Sequence, residues 1–227
     1  NWMYHAQVPP PLHQFNPNLP GLTWVDLVFP FFLFTMGIAI PLSFNNKIIR
    51  QDSIYKLLFH SVTRYLGLIF FAIFIQHIKP YALNGTPNAV TWDLSLIGFL
   101  LLFPIFGIFP VKISKKIQLI IKFIGIGFCI LFLFLLNSQI GLNFSLNKSD
   151  IIIIVLANVS FFGSILWLFS RNNLLIKFGI LGFLLACRLS HTEIGWVSQI
   201  WNYSPFPWAY TFYYLQYLFV VIPGIII

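Results

Sequence analysis

The sequence predicts an all-α protein, a polytopic transmembrane helix bundle of about seven spans, and three observations carry that prediction. Of 227 residues, 59% are hydrophobic and only 8% are charged, with a mean hydropathy of +0.87. Soluble domains carry roughly 25% charged residues, so water is not the main solvent of this chain. Apolar runs of membrane length recur between short polar loops, and a hydrocarbon core about 30 Å thick takes roughly 20 apolar residues in a helix. The formal charge of +8 is gathered into alternate loops, which is the bias that orients membrane helices. That distribution argues against nucleic acid as a partner and makes the lipid bilayer the principal one. A β-barrel would need alternating segments of about ten residues, and none is present.

Residues 1–20, NWMYHAQVPPPLHQFNPNLP, carry five prolines together with His5 and His13. Proline lacks an amide donor and restricts the residue before it, so a regular helix is excluded and a loop is expected. Trp2 and Tyr4 are ring types expected at a membrane interface. The first span is expected near 22–44, with Pro30 and Pro41 suggesting a kink or short break. The second is expected near 57–78, holding His60 and Arg64 one turn apart and ending at His77. Residues 79–93 read as a turn-rich loop containing Asn84-Gly85. Further spans are expected near 94–110, 117–137, 151–170, 174–187 and 209–227, all in one transmembrane domain covering 1–227. The chain begins in loop-like sequence at Asn1 and stops inside the apolar run VIPGIII, so a piece of a longer protein is expected. Cys129 and Cys187 both lie in apolar runs and read as small core residues.

Loop charge then assigns sides. Lys47, Arg50 and Lys56 follow the first span; Lys112, Lys115 and Lys116 follow the third; Arg171 and Lys177 follow the fifth. The intervening loops hold one cation each: Lys79, Lys148 and Arg188. Strict alternation of rich and poor loops fits seven spans and places residues 1–20, 79–93, 137–150 and 189–208 away from the cytoplasm.

The polar residues sort by side as well. His5, His13, Asp26, His77, Asp93, Arg188, His191 and Glu193 fall at the non-cytoplasmic mouth, and His60 and Arg64 at the other. Asp26 stands near the start of a span, where an isolated anion is costly without a partner or a wet cavity. Histidine is the side chain suited to take and return a proton near neutral pH, and a carboxylate can orient its ring. Each residue also has a plainer reading. His5 and His13 can be interfacial loop residues. Asp26 can cap its helix and favour the helix dipole. Arg188 and His191, three apart, can share a helical face, or Arg188 can snorkel. Arg64 can meet an anionic ligand or snorkel in the same way. The tryptophans of 189–208 can form a belt or a stacking surface for a sugar. No metal is expected, because zinc would want three or four close ligands and the spacing supplies no such pattern.

His5-Ala6, then Gly21-Leu22-Thr23-Trp24-Val25-Asp26-Leu27-Val28-Phe29-Pro30-Phe31-Phe32-Leu33-Phe34, then Met36-Gly37 resemble a family motif. It is the H-A…G-[LIM]-T-x-x-D-L-V-F-P-x-F-x-F-x-M-G pattern of heparan-alpha-glucosaminide N-acetyltransferases and their uncharacterised bacterial relatives. WNYSPFPW and FYYLQYLFVVIPG resemble the bacterial branch. The resemblance implies a multi-pass enzyme of the bacterial inner (cytoplasmic) membrane. Such an enzyme moves an acetyl group from acetyl-CoA to a glycan amine or hydroxyl, such as an amino sugar, on the far side. It matches His5 to the catalytic histidine and Asp26 to the acid of the motif. Beside them His13, Arg188, His191 and Arg64 stand as candidate substrate contacts, and a homodimer as one candidate assembly. The stretch between Ala6 and Gly21 carries a Pro-rich insertion, so His13 competes with His5. The family's R-I-P-G-V-L-Q-R motif is replaced by TWDLSLIGFLLL. A transporter or flippase for a sugar or lipid-linked precursor is the alternative from another class, since broken helices and buried polar groups also serve carriers.

Overall fold

The structure, a computed structural model, describes residues 4–16, 18–110, 113–141 and 143–227; Trp2 and Lys112 lie outside the described residues. Among the described residues the elements are helical and none is a β-strand. In chain order they are α1 (Trp24–Ile49), α2 (Ile54–Ile78), α3 (Pro80–Leu83), α4 (Ala89–Leu100), α5 (Phe103–Phe106), α6 (Lys115–Ile140), α7 (Ile151–Ser170), α8 (Leu174–Ser190), α9 (Trp196–Trp201), a 3-10 turn (Phe212–Tyr217) and α10 (Leu218–Ile226). Five stretches are long and apolar enough to cross a membrane: α1, α2, Ala89–Phe106, Lys115–Gln139 and α7. α8, with 17 residues, and the Phe212–Ile226 stretch are shorter.

Local chemistry explains where the spans depart from expectation. The third begins five residues before its expected start, inside the stretch read as loop. There Asn88 accepts from the Thr91 amide at 3.0 Å and donates its own amide to the Thr91 hydroxyl at 2.9 Å, closing a reciprocal cap that starts α4 at Ala89. It also breaks: α4 ends at Leu100 and the chain restarts as α5 at Phe103, with Pro104 removing a helical donor. The seventh opens as a 3-10 turn and becomes α-helical only at Leu218. In α1 the short break suggested by Pro30 and Pro41 does not occur, and the helix runs continuously from Trp24 to Ile49. A proline deletes one backbone bond, which a packed membrane helix tolerates when its neighbours hold it.

The chain divides into two compact units whose boundaries fall inside α2 and α7. The first comprises Asn1–Tyr65, Val155–Pro205 and Tyr210–Ile227. Its core pairs α1 with α10, where Leu33, Ile40, Val221, Ile222 and Ile225 are buried. Gly37 and Gly224 let the two backbones touch, their Cα atoms lying so close that a Cβ built on Gly37 would stand 3.1 Å from the Cα of Gly224. Small residues allow this close approach in membrane helix pairs, where packing replaces the hydrophobic drive available in water. α7 joins through Gly163, over which Ile40 and Val221 pack, and through Trp167, whose ring sits 5.6 Å from that of Phe44.

The second unit comprises Leu66–Ile154 and Phe206–Ala209. Phe74, Ile78, Leu83, Leu102, Cys129, Leu133 and Leu136 form its core. α5 lies on α6 at Gly125, above which Pro104 and Ile105 pack. Cys129 and Cys187 are both buried and free, in keeping with small core residues.

Candidate functional site

The loop of residues 4–21 is tied to the start of α1, and Asp26 is the knot. The ring of His5 meets the carboxylate through Nδ1, 2.6 Å from Oδ1. The other oxygen, Oδ2, accepts from the Thr23 amide at 2.7 Å and the Ala6 amide at 3.2 Å, and the Thr23 hydroxyl lies 3.0 Å away. That hydroxyl donates to the Tyr4 carbonyl at 2.6 Å. Asp26 therefore accepts the Thr23 amide in the cap at the start of α1 through Oδ2 and holds a histidine with Oδ1. At a membrane boundary this matters, because the protein supplies the hydrogen bonds that water would otherwise give the carboxylate.

The sequence arranges this locally. Gly21 takes a φ of 140°, a conformation open to glycine, and turns the loop into the helix. Gln7 closes the loop on itself: its side-chain Nε2 donates to the carbonyls of Leu19 and Gly21, both at 3.3 Å, and its backbone carbonyl accepts from the Asn16 amide at 2.7 Å. Thr23 and the Ala6 amide were not singled out by sequence reasoning. The Thr23-x-x-Asp26 spacing, a helix-start signature, was the signal available.

The two ends of the imidazole differ. An ionised carboxylate only accepts, so the hydrogen-bond network assigns the ring proton to Nδ1 and leaves Nε2 as the acceptor. The His5 side chain is 60% exposed while that of Asp26 is 12% exposed, and among the described residues no group bonds Nε2, so the ring faces outward from a shielded acid. This is the arrangement of a histidine general base with an orienting acid. His13 is not part of it. It lies exposed in a turn at φ 49°, its amide bonded to the Pro9 carbonyl, and it is not among the groups contacting Asp26.

The remaining candidates fall into two other groups. At the end of α8, His191 Nδ1 lies 2.7 Å from the Arg188 carbonyl, and both side chains cover the buried Trp201: the rings of His191 and Trp201 are 4.9 Å apart and the Arg188 guanidinium is 5.8 Å from the indole centroid. Arg188, in the last turn of α8, and His191, just past it, thus meet on the indole of Trp201, one of the tryptophans read as a belt or stacking surface. Arg64 is exposed on α2, within Coulomb range of Lys47 and His60. The nearby acid, Asp52 in the α1–α2 loop, is engaged by Lys56, whose ammonium holds that carboxyl below the usual carboxylate range. His77 departs from expectation: it is buried and bonded at both ring nitrogens, so it is not a free group at the mouth. Among the described residues no three His, Cys, Asp or Glu side chains gather as a metal site would require.

With this geometry in place, the comparison with known families is direct. The profile of DUF5009, a domain of unknown function, matches residues 1–227. The chain belongs to the DUF5009 family. No curated protein and no solved structure matches it. For this DUF5009 chain the His5–Asp26 pair is therefore the firmest chemical landmark, and it makes a direct prediction. Replacing Thr23 with Val removes the hydroxyl bridge between Tyr4 and Asp26 while keeping the shape. One lost hydrogen bond of ordinary net strength corresponds to a roughly five- to tenfold loss of any His5-dependent activity. Thr23→Ser restores it; equal activity in Val and Ser variants would show that the bridge does not position the pair.

Proposed function

We propose that this chain is a membrane-embedded acyltransferase of the bacterial cytoplasmic membrane, moving an acetyl group from acetyl-CoA to a glycan amine or hydroxyl on the non-cytoplasmic side. The observation that carries the reading is the short contact from His5 to Asp26, with Nε2 left open. A lone carboxylate at a membrane helix start needs a reason, and orienting a base is a sufficient one. The alternating loop charge supports the same sidedness, because it sets the His5 loop opposite the loops bearing Lys47, Arg50, Lys115 and Lys116.

In this reading Asp26 holds the imidazole in the tautomer whose Nε2 accepts. His5 takes the proton from the acceptor amine or hydroxyl as that atom attacks the thioester carbonyl. The new C–N or C–O bond forms, the C–S bond breaks, and the proton passes from His5 to the departing thiolate. Donor phosphates fit the other end of the first unit, where Lys47, Arg64 and His60 lie within Coulomb range of one another. Arg188 and His191, held on Trp201, supply donors suited to acceptor hydroxyls. The test is acetyl transfer by the full-length protein in sealed vesicles, with acetyl-CoA on one side and an amino-sugar acceptor on the other. Acetylated sugar appearing opposite the donor is the expected result. Sugar movement without acetylation, and without need of acetyl-CoA, would replace the enzyme with a carrier.

A further inference from the structure

The second unit holds a cavity of about 350 Å³ that the acyl-transfer reading does not use. Its walls come from α2, through Ile73 and Phe74, and from α6, through Leu133 and Phe134; Phe144 and Leu146 close it from the loop after α6. One polar side chain, Asn137, stands at its end. The volume falls within the range of small-molecule sites, about 300–1,000 Å³. Along α6 the lining runs from Ile130 to Asn137, seven residues apart and so about 10 Å along the helix axis.

The closing loop is built in place. The Phe144 amide donates to Asn137 Oδ1 at 3.2 Å, and the Ser145 amide donates to His77 Nε2 at 3.2 Å. His77 Nδ1 lies 2.7 Å from the Ile73 carbonyl, and the His77 and Phe144 rings are tilted together at 4.8 Å. A carbonyl only accepts, so His77 Nδ1 carries the proton and Nε2 is the acceptor the loop needs. Further on, the Asp150 amide donates to the Ala72 carbonyl at 3.1 Å and the Asp150 carboxylate pairs with Lys79 at 3.1 Å. The loop therefore descends along α2 to the level of Ala72, about 9 Å short of the helix end at Ile78. A buried histidine and two backbone anchors hold Phe144 and Leu146 over an apolar space.

We infer that this cavity binds one acyl chain of a bilayer lipid. The lining is apolar apart from Asn137, so it offers a water too few polar partners to hold it. Both walls belong to helices of membrane-crossing length and composition, so the medium beside the opening is hydrocarbon. The opening lies on that side: Ile130 and Phe134, which line it, are 58% and 67% exposed. Its lining extends about 10 Å along α6, the direction a lipid chain takes in a bilayer. The inference stands apart from the acyl-transfer reading and holds if that reading fails.

The test uses the full-length protein in vesicles of phosphatidylcholine carrying a photoactivatable diazirine near the end of one acyl chain. After irradiation, adducts are mapped by mass spectrometry. They are expected to concentrate on residues 70–77, 130–137 and 144–146. Leu146→Trp, which fills the space from the loop, should lower those adducts at least fivefold and leave adducts at the exposed Phe123 unchanged. Leu133→Trp should do the same from the wall, and size-exclusion in detergent checks that each variant is folded. Labelling spread over α6 in proportion to exposure overturns the inference. So does site labelling that survives the Leu146→Trp filling in a folded protein.

Discussion

His5→Ala is expected to lower kcat for the proposed acetyl transfer by about 10²- to 10⁴-fold, the usual contribution of a positioned general base. KM for the acceptor should change little, because in the proposed reaction the imidazole acts on a proton rather than anchoring the sugar. Asp26→Asn should fall nearly as far, for a reason specific to the geometry. Three donors hold the Asp26 carboxylate: His5 Nδ1, the Ala6 amide and the Thr23 amide. An asparagine must turn its own NH₂ toward one of them. Facing His5, it forces the ring proton onto Nε2 and removes the base; facing Thr23 and Ala6, it sets donor against donor and loosens the loop. His13→Ala, at an exposed turn away from this network, should retain activity within about twofold of the parent, the size expected where no hydrogen bond is lost. Kinetics of the three variants side by side decide the matter. If His13→Ala is the inactive one, the assignment of the base is wrong.

The second large effect is structural. Gly37→Ala and Gly224→Ala should each destabilise the first unit by about 3 kcal/mol or more, at or beyond the upper end of ordinary overpacking. A Cβ on Gly37 would stand 2.3 Å from the Val221 carbonyl oxygen, and one on Gly224 would stand 2.4 Å from that of Phe34. Both obstacles are backbone atoms inside helices, so no side chain can swing aside and α1 and α10 must move apart. Leu33, Val221 and Ile222, which have no exposed surface, would lose contacts with them. Gly179→Ala is the matched control, since a Cβ there meets nothing within 4 Å. It should be neutral or slightly stabilising, by up to about 1 kcal/mol from helix propensity. Thermal unfolding in detergent, followed by size-exclusion, gives the comparison. Equal melting of all three variants would mean that the α1–α10 approach is not close in the membrane.

How much of this was legible beforehand depends on the range of the interaction. Helical class and membrane-length spans follow from hydropathy and charge spacing, and one misplaced anion drew attention to Asp26, all read within about twenty residues. The cap at Asn88 and the break before Pro104 were also local, yet a polar stretch with Asn-Gly reads as loop until the Asn88–Thr91 bonds show a helix starting inside it. The choice between His5 and His13 was not local. Both sit in a Pro-rich loop, and only closure of that loop through Gln7 and Gly21, across the 20 or so residues to Asp26, selects one ring. His77 shows the same limit from the other side: its position at a helix end placed it among the polar groups of the mouth, whereas it is buried and Ser145, 68 positions away in sequence, uses its nitrogen.

By itself, then, the sequence determined the solvent of the chain, its helical class and the acid around which the first loop is arranged, because hydrocarbon imposes the same length and composition on every span. The tertiary structure alone decided which histidine the acid holds, that α1 and α10 meet through glycines, and that a loop beyond α6 roofs an apolar cavity. Those outcomes depend on backbone approach and hydrogen-bond direction between distant segments, and neither quantity is carried by a one-dimensional pattern of hydropathy and charge.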